Sequence, residues 1–429
     1  MRGECKTPGG KLVAVTVESG RAVAVGGTVD PPVESAAKAV TAPTAVDSPV
    51  SQPAVASAAG KTRVRIDGDF FIEAGSDAQA DALLRDIERS LSRITASSAA
   101  PPDRMPPAAV ATVVRDAIVR HPNAHLVGTD AAAIAAAYAR AVISPPSAEV
   151  STRGLAKRER VGAAATAPVT APGESADFVA RWSALWPRLD IVHDIPREPA
   201  EQMAVDERWA REVAAGTRPP TLRIWEWSAP CVVVGRFQSI RDEVHEDVAR
   251  AEGITVVRRC TGGGAMFIEP GNTITYSLYV PLSFVAGLSV ESSYRLCDRW
   301  LVEALRGLGL DVRFSGLNDL ASQHGKIGGA AQRRFPAPRV QTREAARGNA
   351  SASDVTCASG AVLHHVTMAY DIDAAKMARV LNVSREKMRD KAVRSVVKRV
   401  DPLKSQTGMT RAEVVAHLLD HCRTCRSRE

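Results

Sequence analysis

Aromatic residues make up only 4% of this 429-residue chain, and no apolar run is long enough to cross a bilayer. The most apolar stretch, "AAAIAAAYARAV", is short and carries an arginine. The start, "MRGECKTPGG", has no apolar segment of the kind that directs secretion. Seven cysteines, an odd number and mostly far apart, suggest no disulfide framework, so reduced thiols and a cytoplasmic location are expected. Phosphate-binding signatures are missing too: there is no G-x-x-x-x-G-K-[ST] and no G-x-G-x-x-G at a strand-to-helix turn. A G-x-S-x-G nucleophile elbow is also absent. Net charge is only +7, and the basic residues are scattered rather than interleaved with aromatics. Nucleic acid and membrane are therefore not expected partners. A mild positive bias suits a small anion or an acidic protein.

What is present falls into two textures. From residue 1 to 143, short strand signals ("GGKLVAVTVESGRAVAV", "TRVRIDGDFFIEAG") precede a helix with Leu84, Ile87 and Leu91 at helical spacing, then two more helices. A Pro/Ala/Ser tract of about residues 29–60 interrupts this region, and its composition predicts a flexible insert. A second such tract, residues 144–176, reads as a disordered linker. Every tryptophan lies beyond it, in a larger domain of residues 177–429. There "PAEQMAVDERWAREVAAG" is a helix, and "TLRIWEW", "CVVVGRF", "ITVVRR" and "NTITYSLYV" are strands. A further helix, "SSYRLCDRWLVEALRGLG", and two further strands, "KIGGAA" and "AVLHHVTMAYDID", follow. A loop insert of about residues 333–361 separates those strands, and two helices close the chain, the last capped by Thr410 with Glu413. Strands and helices mix without a βαβ rhythm, which predicts an α+β fold with a mixed sheet.

Two stretches carry chemistry. "RRCTGGGAMF" (residues 258–267) sets two arginines beside three consecutive glycines. Bare backbone there lets a ligand lie against main-chain N–H groups, while guanidinium groups offer bidentate contacts to an anion. A glycine-rich hairpin would look the same. "NDLASQHGKIGGAAQ" (residues 318–332) places a lysine among small residues, where an ammonium reaches a bound anion and a carbonyl unobstructed.

Together and in order, "PAEQMAVDERW", "LRIWEWSAPCVVVGRFQ", "RRCTGGGAMFIEPGNTITYS", "LNDLASQHGKIGGAAQ" and "VLHHVTMAYDID" resemble the lipoate-protein ligase family of the biotin/lipoate ligase fold. "TPGGKLVAV" and "RIDGDFFIEAG" resemble that family's small α+β accessory domain, here fused in front. The resemblance implies activation of lipoate (or octanoate) by ATP with Mg2+ to lipoyl-AMP. The acyl group then passes to a lysine of a lipoyl domain, in a 2-oxoacid dehydrogenase E2 subunit or the glycine-cleavage H protein. It implies Lys326 as the catalytic lysine. It also implies a binding set of Arg259, Gly262, Gly263, Gly264, Asn272, Asn318, Asp319, Ala331 and His365, with Asp319 as a magnesium contact. Ile268, Gly328 and Val366 depart from the family pattern, and Cys260 within the glycine motif is unexpected.

Alternatives remain open. An ATP-independent octanoyl or lipoyl transferase of the same fold uses a cysteine nucleophile, for which Cys260 and Cys357 are the candidates. A non-catalytic lipoate-binding protein would keep the fold alone. A biotin ligase would want a Gly-Arg-Gly-Arg loop. His417, His421, Cys422 and Cys425 could hold zinc, although one Cys-x-x-C on a terminal helix is more often incidental.

Overall fold

The computed structural model describes residues 1–6, 10–18, 62–96, 105–143, 172–338, 359–382 and 401–428. The expected insert, most of the expected linker and Cys357 lie outside them, as does the "RAVAV" end of the first strand signal.

The N-terminal part opens with β1 (Arg2–Lys6), β2 (Leu12–Glu18) and β3 (Arg63–Gly68), an antiparallel sheet in that order. "RIDGDFFIEAG" is not one strand, because the chain turns at Gly68 (φ +151°). β4 (Phe71–Ala74) then pairs with β5 (Ala124–Val127) in a separate ribbon. Three helices cover these strands: α1 (Asp77–Ala96), α2 (Pro107–Val119) and α3 (Ala131–Val142). On α1 the core contacts are Leu83, Ile87 and Leu91, with Leu84 only partly buried. α3 starts where Asp130 accepts a hydrogen bond from the Ala133 N–H at 2.7 Å, an N-cap. Its alanines Ala133, Ala135, Ala137 and Ala141 are buried, and the helix lies very close to β1. A Cβ on Gly3 would stand 2.1 Å from the Ala137 carbonyl oxygen, so small residues on both sides are what permit the approach. This explains how a core forms with so few aromatics.

The C-terminal part begins with α4 (Pro172–Leu185), so helix intrudes on the tract read as linker. After β6 (Asp190–His193) comes α5 (Pro199–Ala214), stopped by Gly216 at φ +75°. The next strands are β7 (Thr221–Trp225), β8 (Cys231–Val234), β9 (Thr255–Arg258), β10 (Met266–Ile268) and β11 (Thr273–Pro281). They are followed by β12 (Arg313–Ser315), β13 (Asp319–Ala321), β14 (Lys326–Phe335) and β15 (Ala361–Ala369). A seven-stranded sheet runs β12-β13-β14-β15-β11-β7-β6 and is mixed, its β6–β7 pair being parallel. A three-stranded sheet runs β10-β8-β9. β14 extends to Phe335 and pairs with β15 there, so residues 333–335 are strand rather than insert.

The fold is thus α+β, with the large sheet wrapped by helices. One sheet face packs Ile274, Tyr276, Leu278 and Val280 against the helix Val290–Gly307 and the capped C-terminal helix Arg411–Ser427. Among the described residues no helix is long and apolar enough to cross a membrane.

The two parts pack on each other within this one chain. Phe70 stacks on Phe237 with ring centroids 5.3 Å apart. The Gly68 N–H donates to the Phe237 carbonyl at 2.9 Å. Arg236 pairs with Asp81 at 2.6 Å, and Arg334 pairs with Glu73 at 2.7 Å. Asp77 accepts from both Arg236 and Arg333.

Candidate active site

A cavity of about 750 Å³ opens where β14, the glycine stretch and the N-terminal β2 meet. That is within the usual size of a small-molecule site. Its lining has two characters. Met203, Trp225, Trp227, Val233 and Met266 form an apolar end, while Lys11, Asp69, Asn318, Asp319 and Lys326 form a charged one. Such a cavity suits an amphiphile, a hydrocarbon chain ending in an anion.

Lys326 begins β14 and folds back so that its ammonium meets the Asp319 carboxylate at 2.9 Å. Gly329 leaves room for this, since a Cβ there would lie 3.3 Å from the Lys326 ammonium. Asn318 precedes β13. Its amide N–H donates to the Ala330 carbonyl, which turns its side-chain oxygen toward the cavity, and that oxygen accepts from Lys11 Nζ at 2.6 Å.

The stretch 258–264 is held by its own arginines. Arg258 donates to the carbonyls of Gly235 and Gln238 at 2.6 and 2.9 Å. Arg259 is buried and donates through Nη2 to the carbonyls of Gly262 and Gly264 at 2.7 and 2.9 Å. Burial pulls its guanidinium down to about 10, only partly countered by Asp69. Gly263 has φ +96°, and its carbonyl would stand 2.0 Å from a Cβ on Gly235. Two glycines in contact are therefore needed for the loop to close.

Beneath the loop lies a polar network that the sequence did not reveal. Thr261 Oγ1 donates to His365 Nε2 at 2.8 Å, and His365 Nδ1–H donates to Asp206 at 2.8 Å. Asp206, on α5, also accepts from Ser277 at 2.7 Å and from Tyr279 at 2.6 Å. Burial pushes the His365 imidazole below its usual value, more than Asp206 raises it. Burial works against ionised Asp206, but His365, Arg223 and Tyr279 together leave it below the usual carboxylate range. A neutral imidazole between a carboxylate and a hydroxyl is the consistent state. The parallel pair His364–Asp298, at 2.7 Å, is wholly buried.

Of the residues singled out in the sequence, Lys326, Arg259, Gly263, Gly264, Asn318, Asp319, Ala331 and His365 line one cavity. Two do not. Gly262 turns the other way, toward Phe70 and Phe71. Asn272 sits in the turn before β11, where its amide donates to Glu269 at 2.9 Å and its carbonyl accepts from the Tyr370 N–H at 2.9 Å. Cys260 lies behind the loop, packed with the cluster around Tyr279 and Phe335, where burial pushes its thiol up to about 11. Among the described residues no cysteine lines the cavity, and no three His, Cys, Asp or Glu side chains gather to hold a metal. His417 is tied to the Ala304 carbonyl at 2.8 Å and Cys422 is buried in the core, which leaves no zinc site there. Lys11 and Asp206 were missed. Lys11 carried a faint signal, since like Lys326 it follows glycine directly.

The model of the lipoyl protein ligase A/B catalytic domain matches residues 198–337 and 349–423. The chain is 31% identical over 198 residues to octanoyltransferase LipM of Symbiobacterium thermophilum, covering 46% of this chain and 70% of that one. It is 30% identical over 202 residues to a probable lipoate-protein ligase A of Mycoplasma pneumoniae, covering 47% of this chain and 51% of that one. A solved chain of a bi-partite lipoate protein ligase from Thermoplasma acidophilum aligns with a TM-score of 0.42 and 26% identity, over 56% of this chain and 83% of that one. The chain belongs to the lipoyl protein ligase A/B family, its catalytic domain occupying the C-terminal part.

Proposed function

We propose that the protein is an ATP-dependent lipoate-protein ligase. The observation that carries this is the charged end of the cavity, where Lys326, Lys11, Asn318 and Asp319 meet beside an apolar pocket and no described cysteine faces them. An acyl-adenylate fits both ends: the hydrocarbon lies against Met203, Trp225 and Trp227, and the phosphate meets the ammonium groups. In the first half-reaction the lipoate carboxylate attacks the α-phosphate of ATP and pyrophosphate leaves. In the second, the acceptor lysine amine of a lipoyl domain attacks the mixed-anhydride carbonyl and AMP leaves. Lys326 would stabilise charge developing on the phosphate and on the carbonyl oxygen in both steps. Gly263, Gly264, Ala331 and His365 would form the wall against which the carboxylate and its chain lie. Arg259 would act mainly by fixing the loop, since its bonds go to loop carbonyls. Magnesium would arrive on the ATP phosphates. One carboxylate, Asp319, fits the sparse protein donor set that this ion accepts in nucleotide sites.

The second reading is an octanoyl or lipoyl transferase, favoured by the names of several relatives. It needs a thiolate at the acyl carbon, and Cys260 is turned away with its thiol held protonated. The test is pyrophosphate release from ATP, dependent on lipoate, with and without an apo lipoyl domain. Acyl transfer from an octanoylated carrier in the absence of ATP, together with no pyrophosphate release, would overturn the ligase reading.

A further inference from the structure

Lys11 belongs to the N-terminal part yet reaches the charged end of the cavity. Its backbone is pinned there: its N–H donates to the Gly128 carbonyl at 2.6 Å, and the next carbonyl, that of Leu12, accepts from the Asp69 N–H at 2.9 Å. Gly128 has φ +82°, and a Cβ on it would lie 2.5 Å from Lys11 Cγ, so the lysine stem occupies space that only glycine leaves. The stem runs past Phe71, with Nζ 5.8 Å from the ring centroid. The ammonium then donates to Asn318 Oδ1 at 2.6 Å, which accounts for one of its three N–H donors.

This contact is not what holds the two parts together. The Phe70–Phe237 stack and the Arg236–Asp81 and Arg334–Glu73 pairs do that elsewhere on the interface. A second lysine beside Lys326 instead adds like charge to a confined space. Of the charged side chains on the cavity wall, Lys6, Lys11, Arg259 and Lys326 face Asp69, Glu243 and Asp319, a formal excess of one positive charge. Confined excess charge is costly without a counter-ion, and a phosphate, with several anionic oxygens, can accept from both ammonium groups at once.

Resting on the ligase reading above, we propose that Lys11 is a nucleotide-phosphate-binding residue. The catalytic site of this chain is then completed by its own N-terminal part. Lipoate, whose chain would lie at the apolar end, should feel the substitution far less than ATP does.

The test uses the full chain and calorimetric titration with two probes, lipoate alone and α,β-methylene ATP with Mg2+, whose α–β bond cannot be cleaved. Lys11→Met should weaken the nucleotide analogue by about 30-fold, the loss of one charge-assisted contact, and leave lipoate within about twofold. Lys11→Arg, which keeps the charge, should stay within about fivefold of the native chain for both probes. If Lys11→Met does not fold, Lys11→Gln, which can still donate to Asn318, carries the same expectation. Unchanged analogue binding in the neutral variants would overturn the proposal, as would an equal loss for both probes, since that marks a merely structural lysine. If the native chain itself does not bind the analogue, the ligase reading fails as well. If the native chain binds it and the neutral variant binds it equally, only the role of Lys11 fails.

Discussion

Replacing Gly262 by alanine should loosen the seam between the two parts of the chain, although the residue sits inside the glycine stretch that borders the cavity. A Cβ built at Gly262 meets the Phe70 carbonyl oxygen at 2.6 Å, Phe71 Cδ1 at 2.8 Å and Phe71 Cα at 3.2 Å. Two of these three are backbone atoms, so no side-chain rotation relieves the contact. Phe70 is fully buried, and Gly68 just before it is hydrogen-bonded across the seam, so the backbone cannot shift without breaking that bond. Overpacking of this kind costs about 1–3 kcal/mol. At about 2–4 °C of melting temperature per kcal/mol for a domain of this size, a fall of roughly 2–12 °C is expected. Gly264 is the control. A Cβ there meets nothing closer than Asp69 at 3.6 Å, ordinary contact, so Gly264→Ala should stay within about 0.5 kcal/mol. Thermal melting compares the variants, and hydrogen exchange at the Gly68 amide, which should quicken only in Gly262→Ala, locates the damage. Equal melting temperatures for the two variants would refute the reasoning, as would faster exchange at Gly68 in both.

Three further outcomes follow from the site. Lys326→Ala should abolish lipoate-dependent pyrophosphate release, as measured in a coupled phosphate assay; activity above about a hundredth of native would remove the lysine from the chemistry. Cys260→Ser should retain most activity. With a thiol pKa near 11, about one thiol in a thousand is ionised at pH 8, so iodoacetamide should label it far more slowly than a free cysteine. Stability should decline in acid because of His365. Its folded pKa lies below the usual 6.5, so below that pH the unfolded chain binds a proton the folded chain refuses. The contribution is complete above about 6.5 and is lost as pH falls toward the folded value. The urea midpoint should fall between pH 7.5 and 5.5, and His365→Gln should flatten that decline; an equal decline in the variant would assign it elsewhere.

The sequence disclosed the catalytic-domain elements well because their apolar patterns were strong and their ends were chemically marked, as at Gly216 and the Thr410–Glu413 capping box. It misled where a polar residue is buried. In β11 the alternating Ile274, Tyr276, Leu278 and Val280 read as a single apolar face, but the opposite residues Thr275, Ser277 and Tyr279 are equally buried. They face Asp206 and the buried tryptophans, where hydrogen bonds replace water. No local pattern distinguishes such a face from a solvated one, because the partner carboxylate sits on a helix some seventy residues earlier, as the Ser277–Asp206 separation of 71 shows. Lys11 was hidden for the same reason at greater range, its partner Asn318 being 307 residues away.

The glycines of "RRCTGGGAMF" show how one stretch can be kept bare for more than one reason. In the sequence they are consistent either with a ligand lying along the backbone or with a glycine-rich hairpin. Gly263 and Gly264 do line the cavity, and a Cβ on Gly264 would make only ordinary contact with Asp69, at 3.6 Å. Gly262 is bare for another reason: Phe70 and Phe71 of the N-terminal part occupy the room its side chain would take. Gly263 shares both constraints, with the Phe71 ring 3.3 Å from its absent Cβ and a positive φ that favours glycine on its own account. The stretch therefore has two sides, one toward the cavity and one toward the docked N-terminal part, and Arg259 joins them by gripping the carbonyls of Gly262 and Gly264 together. Phe71 of the N-terminal part therefore lies directly against the same loop that borders the cavity. The docked N-terminal part and the cavity wall thus share atoms at this loop.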